Sequence, residues 1–266
     1  MREIGIVRKY GKAPYRIVLV HGGPGALGEL KPVALELSRW YGTVESFQSK
    51  NTIDEQVEEL KYQIESESDL PVILIGWSWG SWLSYIFTAK YPSLIKKLIL
   101  ISSGPFKASY VPEIKKRRLS HLTYKERKRI DELEQLFNQH NLINKDVLFK
   151  EYGFLCKKAD TFSSNEEESL VDKISPQMNI YNGVWPEAAK LRKTGELIML
   201  GCKIDCEVVA MQGVYDSHPS DGVKIPLARI LKNFRFIEIS KCGHYPWYEK
   251  YAKKQFYELL KNELVV

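Results

Sequence analysis

The stretch Pro71-Val72-Ile73-Leu74-Ile75-Gly76-Trp77-Ser78-Trp79-Gly80 decides the architecture of this chain. Val72–Ile75 is a continuous apolar run, the pattern of a central parallel strand covered on both faces. Residues 79–90 follow with helical character and stop near Pro92. The same alternation recurs on either side. Residues 15–20 (YRIVLV), 43–47, 97–102, 206–212 and 234–239 read as short strands, and 247–262 as a closing helix. Thr52 and Glu55 stand at capping-box spacing, ahead of Ile53, Val57, Leu60 and Ile64 on one helical face. Such alternation predicts an α/β chain with a mostly parallel central sheet flanked by helices. Between Phe106 and Arg192 the strand signal fades. This segment reads as a helical cap, 106–192, inserted into a core of 1–105 and 193–266.

A serine between two glycines, placed after a buried strand and before a helix, sits in a tight turn that presents its Oγ at the C-terminal edge of the sheet. The helix N-terminus favours developing negative charge there. A serine hydroxyl needs a base to become a nucleophile. Of five histidines, His244 is the candidate, because its loop (Lys241–Trp247) opens after the strand at 234–239. His121 and His140 fall in the insertion, and His218 lies close to the expected acid. Asp216, beyond the strand ending at Gly213, would hold the imidazole tautomer. Asp221 lies deeper in that loop, and Asp205 precedes the strand. The order is then Ser78, Asp216, His244.

His21-Gly22-Gly23-Pro24-Gly25 follows the strand at 15–20. Its glycines leave backbone N–H groups free, and that of Gly23 would pair with the N–H of Trp79 as an oxyanion hole. His21 reads as a structural support beneath the loop. No GxGxxG or GxxxxGK[ST] pattern supports a nucleotide site instead.

Taken together, His21–Gly25, Gly76–Gly80, Gly213–Asp216 and Cys242-Gly243-His244-x-Pro246-Trp247 resemble the proline iminopeptidases of the α/β-hydrolase superfamily. The resemblance implies an α/β-hydrolase fold with a helical cap over a cofactor-free serine hydrolase site. It also implies acidic cap residues that receive a substrate's free amine, with Glu187 as candidate. Trp77 and Trp185 are the candidate aromatic walls. Glu45–Lys50 stands where the family carries an Asp-x-Arg-Gly-rich turn.

The expected activity is hydrolysis of a small ester or amide, an N-terminal prolyl peptide being one candidate. The alternatives are a carboxylesterase on a small acyl substrate and a non-catalytic ligand-binding protein of the same fold. Composition is ordinary for a globular enzyme, with 44% hydrophobic and 27% charged residues among 266. The net charge of +6 is modest, and the basic runs 115–118 and 125–129 are interleaved with acids, as on a solvated helix face. Nucleic-acid and membrane partners are therefore not expected, nor a cofactor or metal. The four cysteines read as free thiols of a cytoplasmic protein. A small-molecule or short-peptide substrate is the expected partner.

Overall fold

The structure, a computed structural model, describes residues 7–137, 145–164 and 177–265. His140 lies outside them. Seven strands form one sheet: β1 (Val7–Tyr10), β2 (Tyr15–Val20), β3 (Gly42–Ser46), β4 (Val72–Trp77), β5 (Ile95–Ile101), β6 (Glu207–Gly213) and β7 (Phe234–Ile239). Their spatial order is β1-β3-β2-β4-β5-β6-β7. Every pairing is parallel except that of β1 with β3.

Alternate strand residues face opposite layers, the period-two consequence of the pleat. Val18, Leu74, Leu98 and Val208 pack with α2 (Ile53–Glu67), α3 (Trp79–Lys90) and α9 (Asp221–Ile230). Ile17, Ile73, Ile99 and Val209 pack with α1 (Lys31–Leu37) and α10 (Lys253–Leu264) on the other face. Burial of each such side chain contributes roughly 1.5–3 kcal/mol. A strand exposed on neither face has no polar positions, which is why Val72–Ile75 reads as an uninterrupted apolar run.

Between β5 and β6 stand α4 (Val111–Ser120), α5 (Tyr124–Phe137), α6 (Lys145–Ala159), α7 (Met178–Thr194) and α8 (Glu196–Met199). Leu122, Ile130, Leu133, Leu155 and Ala159 form a small core of their own within α4–α6. In contrast, Ile180, Val184 and Ala188 of α7 join the main core. Both capping boxes form: the Thr52 hydroxyl accepts from the Glu55 N–H at 3.3 Å, and Thr123 and Glu126 bond reciprocally.

The structure departs from the sequence expectation at β1, α1, α9 and the start of α10. The edge strand β1 and the helices α1 and α9 carry too little periodic signal to be read. The closing helix starts at Lys253, not at 247, because Pro246–Tyr248 forms a 3₁₀ turn that buries Trp247 and Tyr248. Glu249 then leaves the helical path at φ −71, ψ 121 to bond the cap. The basic runs are largely paired among the helices α4–α6 and the residues that follow them: Lys115 with Glu134, Arg129 with Glu151, Arg118 with Asp160. No helix among the described residues is long and apolar enough to cross a membrane.

Candidate active site

Ser78 stands between β4 and α3 with φ 54 and ψ −116. A non-glycine residue there carries strain on the order of 1–3 kcal/mol, held in place by its surroundings. The Ser78 N–H donates to the Ile101 carbonyl of the neighbouring strand at 3.0 Å. Strand and helix approach closely enough that a Cβ on Gly76 would collide with the Gly80 carbonyl. The loop 21–25 lies against this turn, where a Cβ on Gly22 would enter the Trp77 ring.

Asp216 follows β6 and is fully buried. Its Oδ2 accepts from His244 Nδ1 at 2.8 Å and from Gln212 Nε2 at 3.0 Å. Its Oδ1 accepts both the backbone N–H and Nδ1 of His218, each at 2.9 Å. Burial alone would raise the Asp216 pKa, but the two imidazoles and their hydrogen bonds hold it well below the usual carboxylate range. His244 and His218 stack on each other with ring centroids 4.5 Å apart. Their proton affinities diverge. Burial works against His244, yet the Asp216 charge raises its pKa, whereas burial and the neighbouring His244 lower that of His218. Of the competing acids, Asp205 is exposed at the other end of β6, paired with Lys232 at 2.6 Å, and Asp221 opens α9.

The loop carrying His244 is locked from three sides. Trp77 Nε1 donates to the His244 carbonyl at 2.9 Å. The His244 N–H donates to the Asp160 carbonyl, in the cap, at 2.7 Å. Glu249, fully buried, accepts from the N–H groups of Gly243, Phe162 and Ser163, each at 2.8 Å. Arg118 in turn holds the Asp160 carboxylate in a two-pronged pair, with contacts at 3.0 and 2.6 Å. These cap-to-core ties were not read from the sequence. Only the spacing Asp216-Ser217-His218, an Asx-turn pattern, could have pointed to His218 as a second Asp216 partner.

A cavity of about 390 Å³ opens over Ser78, bounded by Gly23, Trp79, Trp82, Trp185, Arg192 and His218 among others. Gly23 has φ +54, and Trp79 is the first residue of α3, so its N–H has no partner one turn back. His21 supports that loop from below: its Nδ1 donates to the Gly22 carbonyl, its Nε2 accepts from the Gln48 N–H, and burial pushes its pKa down to about 4. The segment Glu45–Lys50 is part of the same support, since Gln48 bonds Ser46, and Ser49 bonds Glu59.

Two candidate substrate contacts lie elsewhere. Trp77 ends β4 on the opposite face from Leu74, is buried under His244, and does not line the cavity. Glu187 sits on the side of α7 that faces α2, where its Oε2 accepts the Ile53 N–H at 2.9 Å. It thereby caps the α2 N-terminus, a favourable place for a carboxylate, and borders a separate groove. Trp185, by contrast, does line the cavity, stacked on Trp82 at 6.1 Å and on Tyr181 at 6.0 Å. Asp216, His218 and His244 also form a group of metal-ligand composition, with ligand atoms within 4.8 Å of one another. Both Nδ1 atoms are engaged by Asp216, so a metal would have to break those bonds.

No curated protein matches the chain. Among solved structures it is similar to VinJ, at 19% identity and TM-score 0.70 over 97% of this chain and 93% of that one. It is also similar to the enol-lactonase of Burkholderia xenovorans, at 16% identity and TM-score 0.61, with 98% and 96% covered. The proline iminopeptidase of Mycobacterium smegmatis aligns at 14% identity and TM-score 0.62, with 97% and 93% covered. Residues 15–251 match the family described as alpha/beta hydrolase fold. With a parallel sheet, a strained serine at the end of its central strand and that match over most of its length, the chain belongs to the alpha/beta hydrolase fold family.

Proposed function

We propose that the chain is a serine hydrolase that cleaves a small ester or amide through an acyl-enzyme on Ser78, with the helical segment 106–192 as a cap over the site. The observation that carries this reading is the 2.8 Å hydrogen bond from His244 Nδ1 to buried Asp216, in a loop tied to the residue preceding Ser78. His244 Nε2 takes the Ser78 proton as Oγ bonds to the substrate carbonyl carbon. The backbone N–H groups of Gly23 and Trp79 receive the oxyanion, each such donor contributing about 3–4 kcal/mol to the transition state. Collapse breaks the bond to the leaving alcohol or amine, which takes the proton from His244. A water then repeats the sequence and frees Ser78. Asp216 holds the tautomer and stabilises the imidazolium.

A second reading, release of N-terminal proline from peptides, rests on the sequence motifs and on the fold likeness to the mycobacterial proline iminopeptidase. The charge around the cavity favours the first. Glu134 is the one carboxylate lining the cavity among the described residues, and it is paired with Lys115. Glu187 is spent on α2.

A fluorophosphonate should label wild-type protein at Ser78 and leave Ser78→Ala unlabelled. Folded wild-type protein that resists the reagent sinks the reading and returns the non-catalytic binding protein. A panel of short-chain para-nitrophenyl esters against prolyl-arylamides separates the two substrate classes.

A further inference from the structure

The cavity wall holds a cation that has no counterion among the described residues. Three basic residues line the space: Lys115, Arg118 and Arg192. Lys115 pairs with Glu134 and Arg118 with Asp160, but Arg192 makes no ion pair among the described residues. Its guanidinium lies 5.2 Å from the Trp82 ring and 6.0 Å from Trp185, and its Nε is buried without an acceptor. A guanidinium keeps its proton, so a half-buried one without an anion carries a desolvation cost. The ring contacts offset only part of it, about 0.5–2 kcal/mol for such a pair.

A second orphan stands on the same wall. Trp79 Nε1 is also buried without an acceptor. The Trp79 ring meets Trp82 edge-on at 6.5 Å, and Trp82 in turn carries Arg192. The cavity wall therefore holds an unpaired guanidinium, with the Trp82 indole between it and the Trp79 ring. Buried native donors are nearly always satisfied, and a planar acceptor with two oxygens suits a guanidinium edge.

We propose that the substrate of the Ser78 site carries a carboxylate, which Arg192 receives on the cavity wall. The proposal rests on Ser78 being the nucleophile, and it deepens that reading by naming the substrate class: the ester or amide of an acid with a second, free carboxylate. The remaining wall, Val111, Ile114, Trp185 and Leu119, is apolar and suits the methylene chain between the two ends.

The test compares para-nitrophenyl hydrogen adipate with its methyl ester, which differ only in the distal charge. Wild-type kcat/KM should favour the monoanion by about tenfold or more, the range of a charge-assisted hydrogen bond. Arg192→Gln should lower kcat/KM for the monoanion at least about fivefold more than for the methyl ester, and Arg192→Lys should retain part of the preference. Equal rates for both esters in wild type, or an equal loss on both in Arg192→Gln, overturns the proposal. If neither ester is turned over, the nucleophile reading fails and the anion site is read alone. Monomethyl adipate should then quench tryptophan fluorescence saturably in Ser78→Ala but not in the Ser78→Ala, Arg192→Gln double variant. Absence of saturable quenching in Ser78→Ala overturns the proposal as well.

Discussion

On the core side of the cavity, Ser78, Asp216 and His244 each follow a strand of one parallel sheet, and their partners are mostly backbone groups and each other. On the cap side, the wall is made of side chains from α3, α4, α5, α6 and α7 that meet through ring stacking and ion pairs. The core half is set by strand register, which a parallel sheet fixes to the residue, and it carries the residues to which the proposed mechanism gives the bond-making steps. The cap half is set by side-chain identity on helix surfaces, which leaves the backbone untouched when a residue changes, and it bears on which substrate enters.

The sharpest break of this contrast uses the two imidazoles on Asp216. His244→Ala should lower kcat by roughly 10⁴- to 10⁶-fold, the scale of losing a triad member. His218→Ala should cost no more than about tenfold, because it only steadies the carboxylate. Steady-state kinetics on a short acyl ester checks both, and the opposite ranking would make His218 the base.

Asp216→Asn comes next, with an expected loss of about 10⁴-fold in kcat. It also has a pH signature. His244 must be neutral to accept the Ser78 proton, so kcat/KM falls as pH drops through its pKa. The Asp216 charge raises that pKa above the ordinary imidazole value of about 6.5. The acid limb of wild type should therefore lie above that value, and that of Asp216→Asn should move down. An unmoved limb would show that Asp216 does not govern the base.

The tie between the halves is tested by Arg118→Met. Asp160 would be left buried without its partner, so stability to urea should fall by about 3 kcal/mol. Since the Asp160 carbonyl also holds the His244 N–H, kcat should drop more than KM changes. Unchanged stability would show that the two halves fold without this link.

The smallest effect is expected at Glu187→Gln. Its carboxylate caps α2, so the change should cost about 0.5–1 kcal/mol in thermal unfolding. Turnover of any prolyl-arylamide should be unaffected. A selective rise in KM for free-amine substrates would restore Glu187 to the substrate site.

How much of this was legible beforehand follows the same division. The strands at 15–20 and 234–239 begin and end where the apolar runs do. That Ser78, Asp216 and His244 lie beyond the ends of β4, β6 and β7 was legible because each follows a recognisable strand in a short loop. The edge strand Val7–Tyr10 was not, because its partially exposed pattern lacks the alternation that a half-buried strand shows. Trp77 looked like a pocket wall because it adjoins the serine in sequence, but the pleat turns neighbours to opposite faces. Glu187 looked like an amine ligand because it lies next to Trp185, but consecutive helix residues point about 100° apart. Two positions on, the side chain meets α2 instead of the cavity.

The sequence by itself therefore determined the parallel sheet, the serine turn and the order of acid and histidine, because each depends on contacts within a few residues. Only the tertiary structure decided that Asp216 holds two histidines, that Glu249 and Asp160 clamp the His244 loop to the segment after α6, and that Arg192 lines the cavity without a counterion among the described residues. Ties of this kind bring together residues far apart in the chain, 167 positions for Trp77 and His244. No local pattern records such pairs, since the free energy that selects them comes from burying both partners at once.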